Sequence, residues 1–279
     1  MNDHPRSHHE TFIHVPMGEG LDERIQAMVA EWAAQFPSIC PRHGEPTTPR
    51  TCWKHYNDYK APHGSVSILA THTLEPCPVC RLARAGVPPL FQRCSFASFN
   101  ADTPELRDNL ATVKKFAAAP TGFLVLLGSV GNGKTHLAVS VLRQFGCGRY
   151  VRHLQIVEEL RASYHQPRSA DDEEEEGIAD RYSVAPLLVL DELGVATGGN
   201  DAETLLHGIL DHRVTHFLPT VLCANIRAGD LEASFGPRLA DRFRQTSYAV
   251  LNFTGPSRRR QGNASYLAAA RAHAEACGR

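Results

Sequence analysis

The chain has 279 residues, of which 42% are hydrophobic, so it is long and apolar enough for one large domain or two modest ones with a real core. Its 29 lysines and arginines balance 30 acidic residues to a net charge of −1, which excludes a global basic field and leaves nucleic-acid contact to a local patch. No apolar run approaches the roughly 20 residues that span a bilayer, and residues 1–10 lack a signal-peptide core, so the expectation is a cytoplasmic protein with no membrane partner.

Residues 1–19 carry several histidines and no periodicity, and read as a disordered N-terminus. Residues 20–94 are expected to form an N-terminal helix and a zinc-binding, partner-docking segment. Leu21, Ile25, Met28, Val29, Trp32 and Phe36 recur at helical spacing over 21–36, and Pro37 ends the helix. That face either packs on the domain that follows or docks a partner protein. Five of the eight cysteines lie in the first 94 residues, a clustering that suggests metal rather than disulfides. Cys40-Pro-Arg-His43 and Cys77-Pro-Val-Cys80 are two knuckles with ligands three apart, and together offer Zn²⁺ a Cys₃His tetrahedron. The gap between them is long, and Cys52 is an alternative to His43. Residues 53–72 read as a loop between the knuckles, and 81–94 as a connector.

An ATPase domain is expected over 95–260. Phe96–Phe99 opens it, and a helix over 103–119 has Thr103 as N-cap and Pro104 at its first position. Phe123–Leu127 reads as a buried strand. It runs into Gly128-Ser129-Val130-Gly131-Asn132-Gly133-Lys134-Thr135, a full phosphate-loop pattern, and His136–Leu142 then reads as a helix. Glycines let backbone N–H groups turn inward around a phosphate, Lys134 offers a cation to the β- and γ-phosphates, and Thr135 offers a hydroxyl to Mg²⁺. A strand over 149–154 and a helix over 156–165 follow. The acidic run within 169–177 reads as a solvated loop that would repel a nucleic-acid backbone.

Leu187–Leu190 forms a second buried strand ending in Asp191 and Glu192. Asp191 is expected near the Mg²⁺ shell, and alternation on the strand aims Glu192 elsewhere, where an attacking water can sit. After a helix over 202–212, the strand 220–225 ends in Asn225, an amide suited to the γ-phosphate or the lytic water. Gly236–Arg244 carries three arginines on a helix, a solvated basic face or a source of one guanidinium for a neighbouring subunit's nucleotide. A strand over 249–253 precedes Arg258, Arg259 and Arg260, and 261–279 is a tail with an Ala-rich helix. Strands alternating with helices predict an α/β fold, a parallel sheet sandwiched by helices.

The segments GSVGNGKTHLA (128–138), LLVLDELG (187–194), TVLCAN (220–225), PRLADRFR (237–244) and FTGPSRR (253–259) resemble the AAA+ helicase loaders of the DnaC/DnaI type and the related IstB transposition ATPases. The resemblance implies ATP and Mg²⁺ bound at 128–136, with Lys134 and Thr135 as phosphate-loop cation and metal ligand. It implies Asp191 on Mg²⁺ through water, Glu192 polarising the attacking water, Asn225 as sensor one and Arg242 as a finger acting in trans. Arg259 takes the sensor-two place, with Arg258 as the neighbouring candidate, and Tyr164 matches an aromatic DNA contact. The implied function is an ATP-hydrolysing loader that assembles in a ring or spiral on single-stranded DNA and places a replicative helicase. The open alternatives are a transposition ATPase assembling on double-stranded DNA and a nucleotide-switched adaptor without turnover.

Overall fold

The structure is a computed structural model that describes residues 8–16, 19–36, 39–40, 43–56, 65–163, 177–194, 200–255, 257–258 and 271. Tyr164, the acidic run 171–176, Arg259 and, apart from residue 271, the C-terminal helix over 264–277 lie outside the described residues. The chain divides into two compact units, Met1–Cys80 and Arg81–Arg279.

The first unit is a three-stranded antiparallel sheet of β1 (His8–Pro16), β2 (Thr48–Tyr56) and β3 (Ser65–Glu75), ordered β1-β3-β2, with one helix, α1 (Leu21–Ala33). Two expectations are corrected here. Part of the expected disordered N-terminus is a strand: Ile13 and Val15 alternate inward opposite Ile68 and Val66, while Phe12 and His14 are exposed. The expected loop over 53–72 also contains strand, because β2 pairs with β3 from Thr48 against Glu75 to Tyr56 against Ser67. The apolar face of α1 closes this unit's own core. Ile25 and Val29 are buried against Val15, Ile68 and Ala70, with Leu21 and Trp32 packed beside them, which leaves Met28, 37% exposed, and Phe36, beyond the end of the helix at Ala33, as the outlying members of the stripe.

The second unit is built on a five-stranded sheet, β5-β6-β7-β4-β8, in which every pairing is parallel. Its strands are β4 (Phe123–Gly128), β5 (Arg149–Arg152), β6 (Leu188–Leu193), β7 (Thr220–Ala224) and β8 (Ser247–Phe253). The central strands are apolar at consecutive positions because both faces are covered. Leu124 and Leu126 of β4 face Val113 and Phe116 of α3 (Pro104–Ala118) and Leu137 and Val141 of α4 (Lys134–Phe145). Val125 and Leu127 face the other layer, with Ile156 of α5 (His153–Ser163), Ile209 and Leu210 of α7 (Asn200–Thr215) and Phe243 of α8 (Leu231–Thr246). Each such side chain contributes about 1.5–3 kcal/mol on burial. The short α6 (Ile178–Ser183) precedes β6. Thr103 caps α3 as expected, its Oγ1 accepting the Leu106 N–H at 3.2 Å with Pro104 at the first position.

The stretch 81–94 is more than a connector. The helix α2 (Pro78–Arg84) runs into it, Leu82 and Val87 are buried in the second unit's core, and Ala85 accepts the Tyr150 N–H at 2.7 Å. That bond occupies the open edge of β5, an edge that otherwise invites pairing with another chain. Among the described residues no helix is long and apolar enough to cross a membrane.

Candidate functional site

Ligands of open parallel sheets sit beyond the carboxyl ends of the strands. Here Leu127 of β4 and Leu193 of β6 both stand level with Ala224 of β7, so the phosphate loop, the Asp191–Glu192 pair and Asn225 emerge together at one end. The loop turns sharply at Gly128 (φ 135°), where a Cβ would collide with the Phe253 carbonyl of the neighbouring strand. Asn132, buried, braces the loop by donating to Ser129 Oγ at 2.9 Å and to the Phe253 carbonyl at 3.0 Å. Gly133, at φ 94°, stands before α4 without a side-chain cap, so the first N–H groups of a twelve-residue helix face the loop. Lys134, only 5% exposed, donates from Nζ to the Gly128 and Ser129 carbonyls, both at 2.7 Å. His136 turns away from the loop: its Nε2 donates to the Ser95 carbonyl at 2.9 Å, its ring meets Phe99 edge-on, and burial holds its pKa below the ordinary value.

Thr135 Oγ1 donates to Asp191 Oδ2 at 2.9 Å, which joins the two sequence motifs directly. Asp191 is 4% exposed and its Oδ1 accepts the Glu192 N–H at 2.8 Å. The regular alternation expected at this strand end is broken: the β6–β7 register shifts between Leu190 and Leu193, and Glu192 adopts φ 57°. A bulge of this kind re-aims a side chain, and a left-handed non-glycine residue is a strained one held by its surroundings. Asn225 follows β7 and is exposed. Arg242, half-buried on α8, pairs with Asp211 of α7 in the same chain. Its helix is broken at Gly236 (φ 74°, ψ 161°), with Pro237 starting the second half that carries Asp241 and Arg242.

Two flanking features escaped the sequence reading. Tyr150 of β5 donates its hydroxyl to Asp191 Oδ2 at 2.8 Å. Its only signal was a tyrosine beside a valine in a short strand, Arg-Tyr-Val-Arg, with an arginine at each end. The segment after β8 lies against the loop, with the Arg258 N–H on the Gly131 carbonyl at 3.0 Å. The Arg258 guanidinium is engaged by the Asn100 carbonyl (2.8 Å) and the Asp102 carboxylate, whose pKa it lowers.

In the first unit Cys40, His43, Cys77 and Cys80 converge, with one ligand atom from each within 4.8 Å of the others. His43 Nδ1 lies 3.6, 3.5 and 3.4 Å from the sulfurs of Cys40, Cys77 and Cys80, and Cys40 Sγ is 4.0 Å from Cys80 Sγ. A zinc tetrahedron with bonds of about 2.3 Å to sulfur and 2.0–2.1 Å to nitrogen has edges of about 3.6–3.8 Å, so the donor set fits that ion. Burial foremost, with Cys40 beside it, raises the Cys77 thiol, and burial and the two facing thiols push Cys80 up to about 12, an environment that a divalent cation reverses by holding thiolates. The Cys80 N–H donates to Cys77 Sγ at 3.4 Å, the backbone-to-sulfur bond that orients a knuckle. Of the candidate fourth ligands, His43 stands with the three cysteines, while the Cys52 side chain lies outside the described residues.

A phosphate loop tied by its threonine to a strand-end carboxylate, at the carboxyl edge of a parallel sheet, defines a P-loop nucleotide-binding domain. A family model described as IstB-like ATP binding protein matches residues 91–262, and the chain belongs to that family. The chain is similar to the replicative helicase loader DnaC of Escherichia coli strain K12, 27% identical over 165 residues that cover 58% of this chain and 67% of that protein. It is likewise similar to DnaC of Buchnera aphidicola subsp. Acyrthosiphon pisum, 26% identical over 188 residues, 64% of this chain and 74% of the relative. Among solved structures the fold resembles the DnaC helicase loader, with a TM-score of 0.51 at 19% identity, covering 59% of this chain and 98% of that one. It also resembles DnaI, with a TM-score of 0.50 at 21% identity, covering 60% and 94%.

Proposed function

We propose that the protein is an ATP-driven helicase loader: it binds ATP with Mg²⁺, assembles with copies of itself in a ring or spiral on single-stranded DNA, and delivers a replicative helicase. The observation that carries this is the Thr135–Asp191 bond at the mouth of the phosphate loop, in a chain whose relatives include proteins named as replicative helicase loaders. Bound Mg²⁺ supplies positive charge to the β- and γ-phosphates, with Thr135 and Asp191 as its protein side.

Residues 128–136 hold the triphosphate. Lys134 exchanges its two loop carbonyls for phosphate oxygens, and the first turn of α4 adds N–H donors. Glu192 orients the attacking water and Asn225 reads the terminal phosphate. Arg242 leaves Asp211 to meet the nucleotide of the next subunit, which makes turnover depend on assembly. Arg259 takes the sensor-two place, since Arg258 is already engaged by Asp102 and the Asn100 carbonyl. Tyr164 contacts DNA. Zn²⁺ on Cys40, His43, Cys77 and Cys80 holds the N-terminal unit, which grips the helicase.

The test is ATP turnover and helicase capture by the purified full-length chain. Lys134→Ala should abolish nucleotide binding or turnover, and undiminished activity in that variant would sink the proposal. A second reading is a transposition ATPase on double-stranded DNA, the role that the resemblance to the IstB ATPases implies, in a family described as IstB-like ATP binding protein. ATP-dependent binding to single against double strands separates the two.

A further inference from the structure

Tyr150 is 5% exposed inside the sheet, yet its hydroxyl reaches the strand-end carboxylate. Its backbone is fixed from both sides, by pairing opposite Val189 of β6 and by the N–H bond to the Ala85 carbonyl. The ring therefore has little freedom to place its oxygen elsewhere. Asp191 Oδ2 receives that hydroxyl at 2.8 Å and the Thr135 hydroxyl at 2.9 Å, while Oδ1 receives the Glu192 N–H at 2.8 Å. These three donors from three segments, with the buried Cys223 thiol of β7 also against the carboxylate, fix its plane. Two of them, Thr135 and Glu192, belong to motifs that must also serve the nucleotide. Tyr150 has no such second duty.

A phenol is protonated throughout the physiological range, so Tyr150 is the donor in this bond and the carboxylate the acceptor. A phenol that only filled core volume would need its ring and not its hydroxyl. Here the hydroxyl sits at hydrogen-bonding distance from Asp191 Oδ2, the oxygen that also accepts from Thr135.

We propose that Tyr150 is a positioning residue that orients Asp191 and thereby sets the protein's affinity for the divalent cation accompanying the nucleotide. The inference rests on the reading of Asp191 as the metal-shell carboxylate. Donors that orient a ligating carboxylate change metal affinity by about 10–100-fold when removed, and a donor to a carboxylate that holds the ion through water falls at the low end of that range.

Tyr150→Phe deletes the hydroxyl and keeps the ring. The full-length variant, saturated with ADP, is titrated with Mn²⁺ and the free ion is followed by electron paramagnetic resonance. ADP binding in EDTA is measured in parallel. The expected result is a Mn²⁺ dissociation constant raised about tenfold, with metal-free ADP affinity unchanged. If Asp191→Asn raises the constant while Tyr150→Phe moves it less than about threefold, Tyr150 is only packing and the inference is overturned. If Asp191→Asn also leaves it unmoved, the reading of Asp191 itself has failed. Should Tyr150→Phe lose metal-free ADP binding through misfolding, Tyr150→Met supplies the same comparison with an unbranched side chain.

Discussion

Arg213 is fully buried on α7, and its partners are neutral oxygens: the carbonyls of Tyr182, Ser183, Ala185 and Pro219, at 2.7–3.0 Å, and the Thr220 hydroxyl at 2.8 Å. It ties the approach to β6, just after α6, to the start of β7. Burial lowers its pKa to about 10, still well above neutrality, so it stays charged. Arg213→Ala should cost about 3 kcal/mol or more, because several buried carbonyls lose their donor together. Arg213→Lys should recover part of that, since one ammonium cannot span the same oxygens. Urea midpoints of the three proteins check this. Neither Arg213 nor Tyr150 was legible in the sequence. An arginine at a helical position looks like any solvated one, and a tyrosine in a strand looks like core. The turn at 128–135 was legible because the phosphate loop is a local motif whose spacing fixes its own geometry, and the strand that carries Asp191 because it is an apolar run. The backbone at Glu192 was not legible, since a bulge depends on the partner strand.

Among elements, the strands flanking the phosphate loop were read well because each is a continuous apolar run buried on both faces. The strands of the first unit were missed. β1 and β2 are polar, short of aliphatic residues and defined by pairing with β3 rather than by their own pattern. The first helix was read correctly in its periodicity, but periodicity could not tell a face that closes a small core from one that docks a partner; the packing of Ile25 and Val29 decides that. α3 offers a clean test of local chemistry. Thr103→Ala removes the Oγ1 acceptor of the Leu106 N–H and should cost about 1 kcal/mol, while Thr103→Ser should be close to neutral. Thermal unfolding of the three proteins decides it. The cysteine knuckles belong at this scale too. Elemental analysis should return about one zinc per chain, and Cys77→Ser should lower it. A metal content near zero would remove zinc from the proposal, and amide exchange in the first unit should rise on chelation if the ion holds it.

For the molecule as a whole, two histidines, His153 buried and His136 half-buried, set a pH response. Burial holds both His136 and His153 below the ordinary imidazole value, and neither ring nitrogen of His153 has a hydrogen-bond partner among the described residues. The unfolded chain therefore takes up protons first as pH falls. Stability contributed by these neutral rings is full above about 6.5 and declines below it, until the folded-state values are reached. Urea midpoints compared at about pH 7.5 and about 5.5 should drop, and His153→Leu should flatten the drop. An unchanged slope in that variant would assign the loss to other groups. The order of the sheet also bears on how the chain is made. β4 stands between β7 and β8, whose residues 220–224 and 247–253 are translated long after it. While the ribosome is still working through the intervening helices, a strand of Phe-Leu-Val-Leu-Leu has neither neighbour beside it, and contacts of such long range form slowly. Nascent chains stalled before residue 247 should therefore be sticky, protease-sensitive and dependent on chaperones until the last strand is delivered.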